Sequence, residues 1–209
     1  MSFDTIDDAV EAIARGRIVV VTDDEHRENE GDLIMAADAA TPESIAFFVR
    51  HTSGVICAAL PGGRCDDLDL PLMVPPTAND DPFRTAFTIT VDLAHGTTTG
   101  ISANDRAATL RALAHPDSTP AMFHRPGHIF PLRARPGGVV ERPGHTEASV
   151  DLARLAGRHP VGVLSEVVLD DGSMARLPDL VRFARRHGLP IVSIADLIGT
   201  LATSTGAHS

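Results

Sequence analysis

Ten consecutive residues, Asp23-Asp24-Glu25-His26-Arg27-Glu28-Asn29-Glu30-Gly31-Asp32, place six carboxylates between two apolar runs. Oxygen ligands at this density suit hard cations such as Mg2+ and Mn2+. A solvated acidic loop would account for the carboxylates alone. Such a loop, however, has no need of Arg27, Asn29 and Gly31. Arg27 can meet a phosphate or carboxylate, and Gly31 permits a tight return into the next strand. The acids and Gly31 do not fall on the EF-hand spacing.

A second group, Arg142-Pro143-Gly144-His145-Thr146, stands just before a helical pattern. Thr146 reads as the N-cap. The free N–H groups and positive dipole end of that helix could hold an anion. Arg142 could add a charge-assisted grip, with His145 beside it and a ring nitrogen free for a metal. The loop Gly96-Thr97-Thr98-Thr99-Gly100-Ile101-Ser102 could cradle an anion in the same way, although such loops are common turns. His128 follows Arg125-Pro126-Gly127 at a strand start, where a lone histidine reads first as a surface residue. Glu166 sits within the apolar run 163–169. It either faces solvent on a one-sided strand, or it is a partly desolvated acid suited to proton transfer.

The elements that must position these groups follow from periodicity. Ile6, Val10 and Ile13 predict a helix that stops at Gly16. Residues 17–22 form a β-branched buried strand, and Leu33–Met35 a second. Thr41 and Pro42 open a helix to about His51. Strands are expected at 55–60, 85–91, 128–133, 161–169 and 191–194. The segment 70–82 holds four prolines and reads as a loop. Helices are expected at 102–114 (Ser102 as cap), from Thr146 to Gly157, and at 178–187, ended by Gly188. The alternation implies a layered α/β domain with a mixed sheet.

Composition narrows the field. The chain has 209 residues, 43% hydrophobic and 22% charged, enough for one core. The formal net charge of −10 disfavours nucleic acid as a partner. All 18 basic residues are Arg, so no lysine can form a Schiff base or serve a P-loop. Cys57 and Cys65 form no CxxC pair, which fits a reducing cytoplasm. No leader pattern is visible, and no apolar stretch reaches the ~20 residues of a membrane span.

In order along the chain, Arg27-Glu28-Asn29-Glu30-Gly31-Asp32, Thr98-Thr99-Gly100-Ile101-Ser102-Ala103, Arg125-Pro126-Gly127-His128, Gly144-His145-Thr146-Glu147-Ala148 and Gly172-Ser173-Met174-Ala175-Arg176 closely resemble the 3,4-dihydroxy-2-butanone 4-phosphate synthase family. The resemblance runs from about Asp4 to about Leu201. It implies a three-layer α/β fold in a single domain over residues 1–202, with a twisted mixed sheet flanked by helices and a frayed tail at 203–209. It implies conversion of D-ribulose 5-phosphate to L-3,4-dihydroxybutan-2-one 4-phosphate and formate in riboflavin biosynthesis, with Mg2+ and, on ligand chemistry, Mn2+ as a possible substitute. The family pattern puts metal ligands at Glu28 and His145. It puts substrate contacts at Arg27, Glu28, Asp32, Arg142, Pro143, Gly144, His145, Thr146 and Glu166, and essential catalytic positions at His128 and Glu166. Asp32 is the expected base for early proton abstraction. Homodimers with active sites near the subunit interface are typical. No GTP cyclohydrolase II domain follows, so a monofunctional protein is expected. A metal-dependent sugar-phosphate isomerase, a nucleotide- or RNA-binding module and a non-catalytic metal-binding protein are the competing readings.

Overall fold

The structure, a computed structural model, describes residues 3–206, with side chains to residue 203. The strands are β1 (Val19–Thr22), β2 (Gly31–Ala36), β3 (Cys57–Pro61), β4 (Val91–Leu93), β5 (Phe123–Ala134), β6 (Gly162–Glu166) and β7 (Ile191–Ser193). The helices are α1 (Ile6–Ala14), α2 (Pro42–His51), α3 (Gly62–Asp67), α4 (Ala103–Ala114), α5 (Gly138–Glu141), α6 (His145–Leu155), α7 (Leu177–His187) and α8 (Ile194–Gly206). The seven strands form one sheet in the order β4-β5-β3-β6-β2-β1-β7. The pairs β1–β7 and β3–β5 are parallel and the others antiparallel, so the sheet is mixed.

Side-chain alternation builds the three layers. Successive strand residues point to opposite faces. Val20, Leu33 and Met35 therefore join one core with Ile45 and Phe48 of α2, Leu110 of α4 and Leu180 of α7. Val19, Val21 and Ile34 join the other, with Ile13 of α1, Leu152 of α6 and Leu197 of α8. Both faces of β1 and β2 are covered, so these strands read as continuous apolar runs.

Local signals set several boundaries as the sequence implies. Thr41 caps α2 through the Ser44 N–H, with Pro42 at the first helical position. Gly188 ends α7 in the left-handed conformation, φ +62°. Other expectations need correction. The strand expected at 85–91 is mostly irregular, tied by isolated bridges from Phe87 to Leu132 and from Leu72 to Thr88. Thr88 and Ile89 donate to the carbonyls of Pro131 and Pro71, and prolines have no N–H to return the bond, so no continuous ladder forms. β5 starts five residues earlier than expected, because the chain pairs with β4 before Pro126, with a register shift between Val91 and Asp92. The helix predicted from Thr146 begins at His145, with Gly144 as N-cap. α3, α5 and α8 have no counterpart in the prediction. α8 was nevertheless legible, since Ile194, Leu197, Ile198 and Leu201 stand at helical spacing. It continues through residues 203–206, where a frayed tail was expected, and residues 207–209 lie outside the described residues.

Candidate active site and metal centre

The acidic loop closes one end of the β1–β2 hairpin, whose last paired residues are Thr22 and Gly31. Its shape comes from Asp23. This fully buried carboxylate accepts the N–H groups of Glu28 (2.9 Å) and Glu30 (2.8 Å) and the Arg27 Nη1 (3.0 Å). Arg27 also donates to Glu28 Oε2 at 2.7 Å, and its guanidinium lies over the Phe83 ring, 4.8 Å from the centroid.

Asp32, the second residue of β2, faces Glu166, the last residue of β6, as an antiparallel pair. Like charges in this register oppose each other. Asp32 is buried and its Oδ1 has no hydrogen-bond partner. Burial above all, and then Glu166, Glu28 and Glu30, push its carboxyl up to about 8 against the pull of His145. Ser53 Oγ donates to Glu166 Oε2 at 2.6 Å.

α6 brings in His145 as its first residue. The Nε2–H points at the Val21 carbonyl (3.2 Å). That contact turns Nδ1 toward Glu28 Oε2 (3.4 Å) and Asp32 Oδ1 (3.8 Å). An imidazole oriented by one nitrogen and open at the other is the usual arrangement of a metal ligand. Donor atoms of Asp23, Glu28 and His145 all lie within 4.8 Å of one another, so this trio could hold a cation. Burial works against a charged His145, but Asp32, Glu28 and Asp23 together outweigh it and raise the ring to about 9. Glu28 moves the other way: burial raises it, and His145 and Arg27 bring it below its ordinary value.

These shifts fix a pH dependence. The raised His145 contributes stability that is complete below its ordinary value of 6.5 and is lost as pH climbs toward about 9. The raised Asp32 carries a cost that grows from its ordinary value of 3.8 up to about 8. Both act in the same direction, so metal-free protein should lose stability steadily between about pH 6 and about pH 9. Thermal melts in chelator across this range check it; a melting temperature that rises with pH would contradict the assignment.

Gly144, at the start of α6, has no side-chain cap. A Cβ there would overlap Arg142 Nη1 and sit 2.9 Å from Arg27 Nη2. Two guanidiniums thus crowd a helix N-terminus whose first N–H groups have no intrahelical partner. Arg142, expected as a phosphate grip, already has protein partners. It donates to buried Glu147 Oε2 (2.7 Å), to the Phe83 carbonyl through Nε (3.2 Å) and Nη2 (3.1 Å), and to Thr85 Oγ1 (3.2 Å). Leaving Glu147 buried without this partner would cost about 3–5 kcal/mol. Structure therefore accounts for Arg142 first, and Arg27 keeps the freer donors.

Arg27, Glu28, Asp32, Arg142, His145, Thr146 and Glu166 line one cavity of about 240 Å³, together with Glu30 and Cys57. Pro143 faces a neighbouring groove behind the acidic loop. His128 is not in this group. It lies on β5, two strand steps (about 10 Å) from β6. Its Nδ1 is 2.6 Å from Asp92 Oδ2, and its N–H donates to Asp92 Oδ1 at 2.9 Å. The Asp92 carboxylate thereby turns the His128 Nε2 outward. Asp92 and Ser53 were missed because nothing in the local pattern marks them. Asp23 was visible in the acidic run, but not its role as the loop's organiser.

A family model described as 3,4-dihydroxy-2-butanone 4-phosphate synthase matches residues 7–200. The chain belongs to this family. A 3,4-dihydroxy-2-butanone 4-phosphate synthase of Agrobacterium fabrum is 58% identical over 201 residues, covering 96% of this chain and 93% of the relative. The bifunctional riboflavin biosynthesis protein RIBA 1 of Arabidopsis thaliana is 60% identical over 196 residues, but the chain spans only 36% of that longer protein. A crystal structure of a 3,4-dihydroxy-2-butanone 4-phosphate synthase in complex with two magnesium ions superposes with a TM-score of 0.94 at 51% identity, covering 98% of this chain and 99% of the other. A cation-free synthase structure gives a TM-score of 0.91 at 49% identity, covering 98% of this chain and 100% of the other.

Proposed function

We propose that the protein converts D-ribulose 5-phosphate to L-3,4-dihydroxybutan-2-one 4-phosphate and formate, with a divalent cation held by Glu28 and His145. The observation that carries the reading is the convergence of Glu28 and the His145 Nδ1 on one cavity with the Asp32–Glu166 pair. The residues fit a hard cation: the donors are carboxylates and one oriented imidazole, and Asp32 Oδ1 waits without a partner. Asp23 already accepts three hydrogen bonds, which makes it the holder of the loop more than a ligand. Mg2+ is the preferred ion, and Mn2+, more tolerant of imidazole, should substitute.

Such a cation supplies charge stabilisation to substrate oxygens and makes the adjacent C–H more acidic. The chain's own groups do the rest. Asp32, raised to about 8, takes the first proton from carbon, its basicity matched to neutral pH. Glu166, oriented by Ser53, moves protons in the later steps. The remaining Arg27 donors and the first N–H groups of α6 hold the phosphate, as helix N-termini commonly do. Five carbons become four plus one with no net change in water. His128 is the missing contributor. We place it in the pocket of a second copy, so that a homodimer completes each site; its position two strands away from Glu166, with Nδ1 tied to Asp92 and the ring part-exposed, supports this. No described helix is long and apolar enough to cross a membrane. The free, buried thiols of Cys57 and Cys65 support a place in the cytoplasm.

Incubation with 13C-labelled ribulose 5-phosphate and Mg2+, followed by NMR, tests the proposal. Formate should accumulate together with the four-carbon ketone. Asp32→Asn should slow it by about 100- to 10,000-fold. Conversion into another pentose phosphate without formate would replace the proposal by an isomerase.

A further inference from the structure

Glu28 lies in irregular chain, next to Asn29 in the left-handed region at φ +55°. Such a backbone persists only where its surroundings over-determine it. On the amide side, Asp23 holds the N–H groups of Glu28 and Glu30. The carbonyl side has its own partner, Arg176, from the Gly172–Arg176 motif to which the proposed chemistry gives no role. Its Nη1 donates to the Glu28 carbonyl at 3.0 Å and to the Asn29 carbonyl, and stands 3.9 Å from Glu30 Oε1.

The base of Arg176 is fixed even though its head is at the surface. Ala175 is buried and donates its N–H to the Val167 carbonyl at 3.0 Å. Arg176 itself is the N-cap residue of α7, and its own N–H donates to Asp179 Oδ2 at 3.2 Å. One turn on, Leu180 packs so tightly against Gly31 that a Cβ there would collide with its methyl groups. The end of the acidic loop and the root of Arg176 therefore belong to one rigid frame.

We infer that Arg176 is a positioning residue that clamps the carbonyl side of residues 28 and 29 and so aims the Glu28 carboxylate at His145. Asp23 and Arg176 act as opposite jaws, an anion on the amides and a cation on the carbonyls. Without Arg176 the two carbonyls turn to water, Asn29 relaxes out of the left-handed region, and Glu28 loses its fixed direction. A guanidinium suits this task because it presents several donors in a planar fork, whereas an ammonium is a compact, strongly hydrated charge.

The consequence for the cation rests on the proposed function, and the experiment separates the two. Arg176→Ala and Arg176→Lys are compared with wild type by amide hydrogen exchange without metal, by Mn2+ titration followed by electron paramagnetic resonance, and by kinetics with ribulose 5-phosphate. Arg176→Ala should exchange faster at residues 24–30 in the metal-free protein. It should bind Mn2+ about 10- to 100-fold more weakly, the usual effect of losing a group that orients a ligand, and lower kcat/KM in step. Arg176→Lys should recover part of each. Unchanged exchange, or Mn2+ affinity within twofold of wild type, overturns the assignment. Faster exchange in a protein whose wild type binds no Mn2+ would uphold the clamp and remove the metal reading instead.

Discussion

Glu28→Gln should leave the protein folded and nearly unable to bind Mg2+ or Mn2+, with formate production lost in parallel. The Glu28 carboxylate stands 3.4 Å from the His145 Nδ1, Asp23 is committed to the N–H groups of Glu28 and Glu30, and Asp32 Oδ1 lies further off at 3.8 Å. Changes to residues that only orient a metal ligand weaken binding by about 10- to 100-fold, so removal of the ligand itself should exceed the upper end of that range. The amide still accepts from Arg27, which keeps the loop shape and makes the effect one of charge. Its loss also removes one of the groups that hold the proton on His145, so the ring should titrate nearer its ordinary value. Calorimetric titration with Mg2+ and imidazole NMR chemical shifts against pH measure both. Affinity within threefold of wild type would move the metal centre elsewhere.

Gly144→Ala should be the most damaging change of a single methyl group. The new Cβ would overlap Arg142 Nη1 and press on Arg27 Nη2, so at least one guanidinium must move. Moving Arg142 leaves buried Glu147 with only the Arg135 N–H and no countercharge, and moving Arg27 opens the contacts to Asp23 and Glu28. Overpacking of this kind costs about 1–3 kcal/mol, or about 5- to 150-fold if it falls on phosphate binding. The expected result is a KM for ribulose 5-phosphate raised about tenfold or more, together with a lower melting temperature. A variant with unchanged KM would show that the helix start does not hold the phosphate.

How much of this was legible in the sequence depends on which interactions carry the information. Val19–Val21 announced a strand buried on both faces because burial itself selects such runs. The acidic loop announced a possible cation site because six acids between two such runs are costly without a purpose. The partners of these groups were hidden where long-range pairing decides them. Asp32 and Glu166 are 134 positions apart, and only the β2–β6 register puts them face to face. Arg142 looked free because Phe83 and Glu147 claim it only in three dimensions. Residues 85–91 alternate like a strand, yet they run as irregular cover over the cavity, where Thr85 and Phe87 face the site. Thr146 looked like the N-cap on residue type, but Gly144 takes that place two residues earlier, where a Cβ would overlap Arg142.

The pairing of Thr22 with Gly31 has one more consequence. It pins both ends of an eight-residue arch, 23–30, to adjacent rungs of a rigid ladder. Fully drawn out and doubled back, such an arch extends about 13 Å from its roots. With its amides held by Asp23 and two of its carbonyls by Arg176, the arch is folded far short of that reach, so it edges the cavity with Arg27, Glu28 and Glu30 and does not sweep across it.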